Sequence, residues 1–126
     1  MIGLVVFIPV GLGTLTWNQV HVWHDSKTLW AHALAIDPNS SVAHYNLGGA
    51  LAQQGKLADA IHHYQRALQI TPDDADAHIH WGLALAQQGR LAEAIEHYRQ
   101  ALRINPDHAD AKSNLLNAIR GLDRRK

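Results

Sequence analysis

The sequence contains one short phrase three times, as ALAIDP at residues 33–38, ALQITP at 67–72 and ALRINP at 101–106. Its spacing is constant, because 67 − 33 and 101 − 67 both equal 34. A fixed period of this size indicates a stacked-repeat protein, in which each unit buries its apolar face only against its neighbours. In that register residues 41–74 and 75–108 form two complete units, and both contain LAQQG at the same offset.

Each complete unit has the pattern of a helix, a tight turn and a second helix. Apolar residues recur at helical spacing on both sides of Gly55 and Gly89. Glycine accepts the left-handed backbone that closes a helix, so the first helix of each unit is predicted to end there. Pro72 and Pro106 end the second helices, because proline cannot donate a helical hydrogen bond. The acidic residues that follow are predicted to cap the next helix: Asp73, Asp74 and Asp107.

The two units resemble tetratricopeptide repeats, whose pattern is W-x₂-L-G-x₂-Y, then A-x₃-F, then P. The first unit has at these positions His44, Leu47, Gly48, Leu51, Ala60, Tyr64 and Pro72. The second unit has His78, Trp81, Gly82, Leu85, Ala94, Tyr98 and Pro106. The departures fall at packing positions that can exchange volume with their neighbours. The resemblance implies an all-α fold, a right-handed superhelical stack of antiparallel helix pairs.

Partial repeats flank the two units. Residues 25–40 match the second helix of a repeat alone, and residues 109–122 match the first helix alone. The second of these is predicted to be a capping helix, with one face on the stack and one in water. Gly121 is predicted to end it, and residues 123–126 to form a frayed basic tail.

Residues 1–24 differ in kind from the rest, because they contain no Asp, Glu, Lys or Arg. About 17–25 apolar residues suffice for a helix to cross a bilayer, and Trp17 and Trp23 resemble an interfacial aromatic belt. We therefore expect an N-terminal transmembrane helix that places the protein at a membrane, on a side that the sequence does not fix. Two alternatives stay open: a secretory signal, although no basic n-region is present, and a soluble apolar helix that covers the first repeat.

The junction after this segment has a resemblance of its own. Thr16-Trp17, Val22-Trp23, Asp25-Ser26 and Leu29-Trp30 are similar to the junction in multispanning membrane proteins with tetratricopeptide tails, including glycosyltransferases of the O-mannosyltransferase type. This resemblance implies an alternative, in which the chain is the C-terminal fragment of a membrane glycosyltransferase-like protein whose catalytic part lies upstream. No residue of that catalytic part can be assigned in this sequence.

Composition and spacing argue against several functions. The sequence has 11 Lys and Arg and 11 Asp and Glu residues, so no net electrostatic field would attract nucleic acid. It contains no cysteine, which excludes disulfides, thiol catalysis and cysteine-based zinc sites. The ten histidines form no chelating i,i+4 pair: His44 and His78 occupy packing positions, and His63 and His97 are predicted on the polar side of the second helices. We expect no metal site, cofactor, small-molecule substrate or enzymatic activity.

The remaining functional surface is the groove that first helices line in this family. An asparagine row there resembles the peptide-binding ladder of O-linked N-acetylglucosamine transferase repeats, whereas the basic clamp of chaperone-type repeats is missing. We therefore predict a non-catalytic interaction module, a scaffold or adaptor that binds an extended segment of a protein partner. The predicted groove residues are Tyr45, Asn46, Gln53, Asp76, Ile79, His80, Gln87, Asp110, Asn114 and Asn117.

Overall fold

A computed structural model of the chain describes residues 25–126, and within them the only regular secondary structure is helical. The six helices are α1 (Ser26–Ile36), α2 (Ser41–Gln53), α3 (Leu57–Ile70), α4 (Ala75–Gln87), α5 (Leu91–Ile104) and α6 (Ala109–Asp123). Two complete units are formed by α2 with α3 and by α4 with α5. The all-α stack of helix pairs that the tetratricopeptide resemblance implies is confirmed.

Three of the six helices, α1, α2 and α4, begin where a short polar side chain accepts from a free N–H group. Asp25, Ser40 and Asp74 each accept a hydrogen bond from a backbone N–H in the first turn of the helix that follows. The expectation that Asp107 caps α6 is wrong. His108 holds the cap position without a side-chain cap bond, and the N–H of Asp107 donates to Oδ1 of Asn105 at 3.3 Å.

The turns inside the two units depend on left-handed glycine. Gly55 and Gly89 have φ of +77° and +80°, as the sequence predicts. The N–H of the next residue then reaches back to the preceding helix: Lys56 donates to the carbonyl of Leu51 and Arg90 to that of Leu85, both at 2.9 Å. These bonds occupy carbonyls that a helix end would otherwise leave free. Each pair of helices can therefore reverse direction within three residues.

Helix contacts follow the order of the chain. Each helix packs against the next one, and α2 also touches α4, as α4 touches α6. Within residues 25–126 no such contact joins α1 to α3 or α3 to α5. The first helices of successive units are thus closer together than the second helices. The stack curves, with α2, α4 and α6 on its concave side.

The core is built from small residues facing large ones. Tyr64 and Tyr98 are each 1% exposed, and each lies against a glycine of the first helix in its own unit. A methyl group on Gly48 would stand 2.7 Å from Cε1 of Tyr64, and one on Gly82 would stand 2.6 Å from Cε1 of Tyr98. Fully buried alanines flank both tyrosines and let the helices approach: Ala60, Ala67, Ala94 and Ala101.

The end of the chain differs from the expectation. Helix α6 continues through Gly121 to Asp123. A Cβ atom at Gly121 would stand 3.1 Å from Cδ1 of Leu91 on α5. Gly121 therefore permits close packing and does not end the helix. Beyond it, Nη1 of Arg125 donates to the carbonyl of Gly89 at 2.8 Å, so the basic tail contacts the turn of the second unit.

No helix within residues 25–126 combines the length and apolarity that a membrane crossing requires. The predicted transmembrane helix at residues 1–24 lies outside the described part of the chain.

The glycine and tyrosine packing predicts opposite effects for two adjacent substitutions in α2. Gly48→Ala should lower the free energy of unfolding by about 1–3 kcal/mol, the usual cost of overpacking, because Tyr64 and the Ala60 carbonyl leave no room. Gly49→Ala is the matched control and should raise the free energy of unfolding, because alanine favours helix more than glycine does. Its new methyl group would have room, since its nearest neighbour is the Tyr64 hydroxyl at 4.0 Å. Urea unfolding of both variants checks this. Equal stability of the two would contradict the packing account.

Candidate functional site

The predicted groove residues lie on α2, α4 and α6, the helices of the concave side. All except one are at least partly exposed. The exception is Ile79, which is 4% exposed and packs in the core with Leu85 and Ala111. Its expected place on the open surface needs correction: the side chain of Ile79 turns toward α6 and supports the face from beneath.

An aromatic cluster joins the two units at the centre of this face. The ring of Tyr45 meets His80 edge-on, with centroids 5.4 Å apart, and Tyr64 lies beneath both rings at 6.2 and 6.1 Å. The rings of Tyr45 and His80 are half-buried, so each touches both solvent and the protein interior. A surface of this kind gives a bound chain apolar contact together with polar atoms.

Burial controls the protonation of the cluster. It lowers the pKa of His80, although the charges of Asp76 and Asp74 partly oppose this effect. At pH 7 the His80 ring is therefore mainly neutral. Burial and, to a smaller extent, the charges of Asp76 and Asp74 raise the pKa of Tyr45. Its hydroxyl therefore stays protonated and can donate a hydrogen bond.

The pair of Asp76, on the first helix of the second unit, and His108, at the start of α6, links that unit to the capping helix. Nε2 of His108 lies 3.0 Å from Oδ1 of Asp76, and a proton on that nitrogen makes it the donor. The imidazole is 20% exposed and the carboxylate 65% exposed, so the carboxylate keeps an oxygen in solvent. Sequence reasoning missed His108, because its place in the repeat is a capping position and its partner is 32 residues away.

The asparagine row is only partly free for a ligand. Nδ2 of Asn46 donates to the Val42 carbonyl of its own helix at 2.9 Å, which leaves Oδ1 as an acceptor. Asn114 is half-buried on α6, and His80 lies between the two in the same row of the stack. The exposed residues Gln53, Gln87, Asp110 and Asn117 surround this row.

The histidines of the second helices are not where the sequence predicted them. His63 and His97 do not lie on an open polar side, since both are half-buried against the first helix of their own unit. Nδ1 of His44 lies 3.0 Å from Nδ1 of His63, and the same atoms of His78 and His97 are 3.2 Å apart. The ring centroids are 5.3 and 5.5 Å apart, so the nitrogens lie between the rings and the rings meet head-on.

The hydrogen bonding fixes the proton positions in the first pair. Nε2 of His44 lies 3.0 Å from the Pro38 carbonyl, which can only accept, so this nitrogen carries hydrogen. In the neutral ring Nδ1 of His44 is then an acceptor, and His63 must donate from its own Nδ1. Because the two Nδ1 atoms are joined by this hydrogen bond, they are not a chelating pair. Within residues 25–126 no group of three or more ligand-type side chains could hold a metal ion.

Three family models match the chain: a TPR repeat over residues 49–89 and tetratricopeptide repeats over residues 75–108 and 29–62. Together they span residues 29–108, more than half of the 126 residues. The chain belongs to the tetratricopeptide-repeat family. Repeats of this family are in general non-catalytic modules that bind protein partners, and the expected interaction scaffold is supported at that level. No curated protein matches the chain significantly.

Solved structures agree with this assignment. The chain is similar to the crystal structure of MamA protein, with 27% identity and a TM-score of 0.76 over 86% of this chain. It spans 59% of the length of that structure. The TPR domain of Arabidopsis OM64 is similar in fold, with 19% identity and a TM-score of 0.73, and the match covers 84% of this chain and 87% of that domain.

The histidine pairs predict that the tetratricopeptide stack is sensitive to acid. Burial, followed by the charge of His78, lowers the pKa of His97 to about 4 from 6.5, against the opposing charges of Glu96 and Glu93. As the pH falls, the unfolded chain takes up this proton first. The stability contributed by neutral His97 is therefore complete above pH 6.5 and is lost between that pH and about 4.

We expect the protonation of His97 alone to lower the free energy of unfolding by on the order of 1–3 kcal/mol between these two pH values. This is less than the full value for its pKa change, because the side chain is partly exposed. Urea unfolding at a series of pH values measures the effect. His97→Gln should flatten the pH dependence, whereas His32→Gln, which replaces an exposed imidazole on α1, should leave the slope unchanged. Equal slopes in all three proteins would show that His97 does not titrate as described.

Proposed function

We propose that the concave face binds an extended segment of a protein partner, and that the protein acts as a non-catalytic scaffold or adaptor. The observation that carries this proposal is the contact of α2 with α4 and of α4 with α6, which brings the polar row of three helices onto one curved surface. Family membership supports a protein partner. The tyrosine and histidine edges and the free Asn46 carbonyl oxygen supply the donors and acceptors that a peptide backbone needs.

The charges of this surface favour a neutral or basic segment. Its charged side chains among the predicted groove residues are Asp76 and Asp110, and neither Lys nor Arg is among them. Neutral His80 adds no positive charge at pH 7, because its pKa is lowered by burial. An acidic C-terminal tail would meet repulsion here. The partner is thus expected to bind through its backbone, with affinity that changes little with salt.

Replacing Asn46 and Asn114 together by alanine should weaken the binding of such a segment about tenfold or more, since each lost hydrogen bond contributes about 0.5–1.5 kcal/mol. A peptide-library screen supplies the ligand, and titration calorimetry measures its affinity for the variant. Helical content should stay constant, because neither side chain lies in the core. Gln65→Ala, at an exposed position of α3 on the opposite side, is the control. Unchanged affinity in the double variant would move the binding surface away from the asparagine row.

We further propose that residues 1–24 anchor the repeats to a membrane. The support is compositional, because the segment carries no charged side chain over a length that suffices to span a bilayer. The junction resemblance favours a second candidate function, in which these repeats are the tail of a membrane glycosyltransferase-like protein. A continuous reading frame with many apolar spans before Met1 would favour that candidate.

Attachment can be tested by phase partitioning of the full chain and of a chain that begins at Asp25. We expect the full chain to require detergent and the shorter chain to remain folded in water, since α1 still packs on α2. If the full chain stays in the aqueous phase while the shorter chain precipitates, residues 1–24 are a packing helix and the anchor proposal fails.

A further inference from the structure

A cleft of about 220 Å³ opens between α1, α2 and α3, away from the asparagine row. Its apolar floor is formed by Ala31, Leu47 and Leu51. The polar side chains around it are Lys27, Lys56, Asp59, His62 and His63. The volume lies below the about 300–1,000 Å³ of pockets that hold drug-sized ligands, so the cleft suits a small group.

The two lysines of this cleft are not held in ion pairs by the described residues. Within residues 25–126 neither Lys27 nor Lys56 forms an ion pair with a carboxylate, and residues 1–24 contain no acid. Both lysine side chains line the cleft. The neighbouring Lys27 side chain and its charge, followed by desolvation, lower the pKa of Lys56, and Asp59 opposes the change only in part. An anion between two ammonium groups would convert their repulsion into attraction.

The equivalent location in the second unit is lined by different residues. At positions 34 residues later, Lys27 is replaced by Ile61, Leu47 by Trp81 and His62 by Glu96. The Trp81 ring stacks on His97 with centroids 4.0 Å apart and so occupies the space that is open beside His63.

The basic residue of the second unit is also neutralised. Arg90, which corresponds to Lys56, forms two hydrogen bonds to Glu93 at 2.8 and 2.6 Å. Asp59, which corresponds to Glu93, makes no such ion pair with Lys56. In the second unit this location is therefore filled by Trp81, and its basic residue is paired with Glu93. In the first unit the same location is a cleft, and among the described residues its lysines form no ion pair.

His63 adds an oriented polar group to the cleft. Its Nδ1 donates to His44, so the ring is held in place and its remaining nitrogen, Nε2, is not used by that bond. When Nε2 takes a proton, the bond to His44 is kept and the ring becomes a cation with a second donor. An anion in the cleft would favour this protonation, although burial by itself lowers the pKa of His63.

We propose that the cleft between α1, α2 and α3 binds a phosphate group, held by Lys27 and Lys56 and contacted by His63. Lysine ammonium groups are compact charges that suit phosphate, and the apolar floor fits a carbon substituent. Lys27 lies three residues after the apolar segment 1–24 in sequence, so lipid headgroups and free phosphate are both sources of this chemistry. The proposal does not depend on peptide binding by the concave face.

The first experiment titrates the full chain, in a neutral phosphate-free detergent, with inorganic phosphate at constant ionic strength. Nuclear magnetic resonance of the histidine rings reports the pKa of His63, and His97 in the second unit is the internal control. We expect a saturating rise in the His63 pKa with no change at His97. Lys27→Ile with Lys56→Gln should weaken binding about tenfold or more, the loss expected for charge-assisted contacts, and Lys112→Gln on α6 should have little effect. If the double variant does not fold, the single variant Lys56→Gln tests the proposal instead. Lys56 is exposed, so this replacement should not disturb the packing.

The second experiment places the same proteins in phosphatidylcholine vesicles with and without phosphatidic acid. A rise in the His63 pKa that requires the anionic lipid and the two lysines identifies a headgroup as the source. A response to inorganic phosphate without a response to the lipid identifies free phosphate. The proposal is overturned if neither addition changes the pKa of His63, or if the pKa of His97 changes by the same amount. It is also overturned if the double variant responds like the unaltered chain.

Discussion

The close approach of two helices inside each unit is the constraint on which the rest of the structure depends. It exists because a tyrosine ring of the second helix lies directly against a glycine of the first, at Gly48 with Tyr64 and at Gly82 with Tyr98. Alanines on either side of the ring keep the interhelical distance short. Once this distance is set, the left-handed turn at Gly55 or Gly89 can connect the helices, and successive units stack with their first helices inward.

The histidine pairs are a polar addition to this packing. In the family pattern a tryptophan occupies the positions of His44 and His78, and its indole N–H is the one polar group of that side chain. Here each imidazole forms a hydrogen bond to a second imidazole on the facing helix, and that of His44 also reaches the Pro38 carbonyl. The result satisfies buried nitrogens and fixes ring orientation, but its stability depends on keeping the rings largely neutral.

The two units share a backbone plan but present different surfaces. In the second unit Trp81 and the Arg90–Glu93 pair close the outer side between the helices. In the first unit leucine replaces tryptophan and two lysines stand together, so the same location is open and positive. Repeats permit such divergence because each interface involves only neighbouring helices, and a change in one unit need not disturb the other. The concave face and the cleft can therefore be altered separately.

The sequence by itself determined the period, the helical character, the two glycine turns and the family, because these depend on residues close together in the chain or on strict spacing of 34. It also placed Tyr45, Asn46 and Asp76 on one side of the stack. It could not determine which groove residue is buried, since Ile79 is covered by α6 from the next repeat. Nor could it reveal the link between Asp76 and His108, the histidine pairs or the contact of Arg125 with Gly89. Those contacts join residues 19 to 36 positions apart, and only the tertiary structure decides which side chains meet when helices from different parts of the chain pack together.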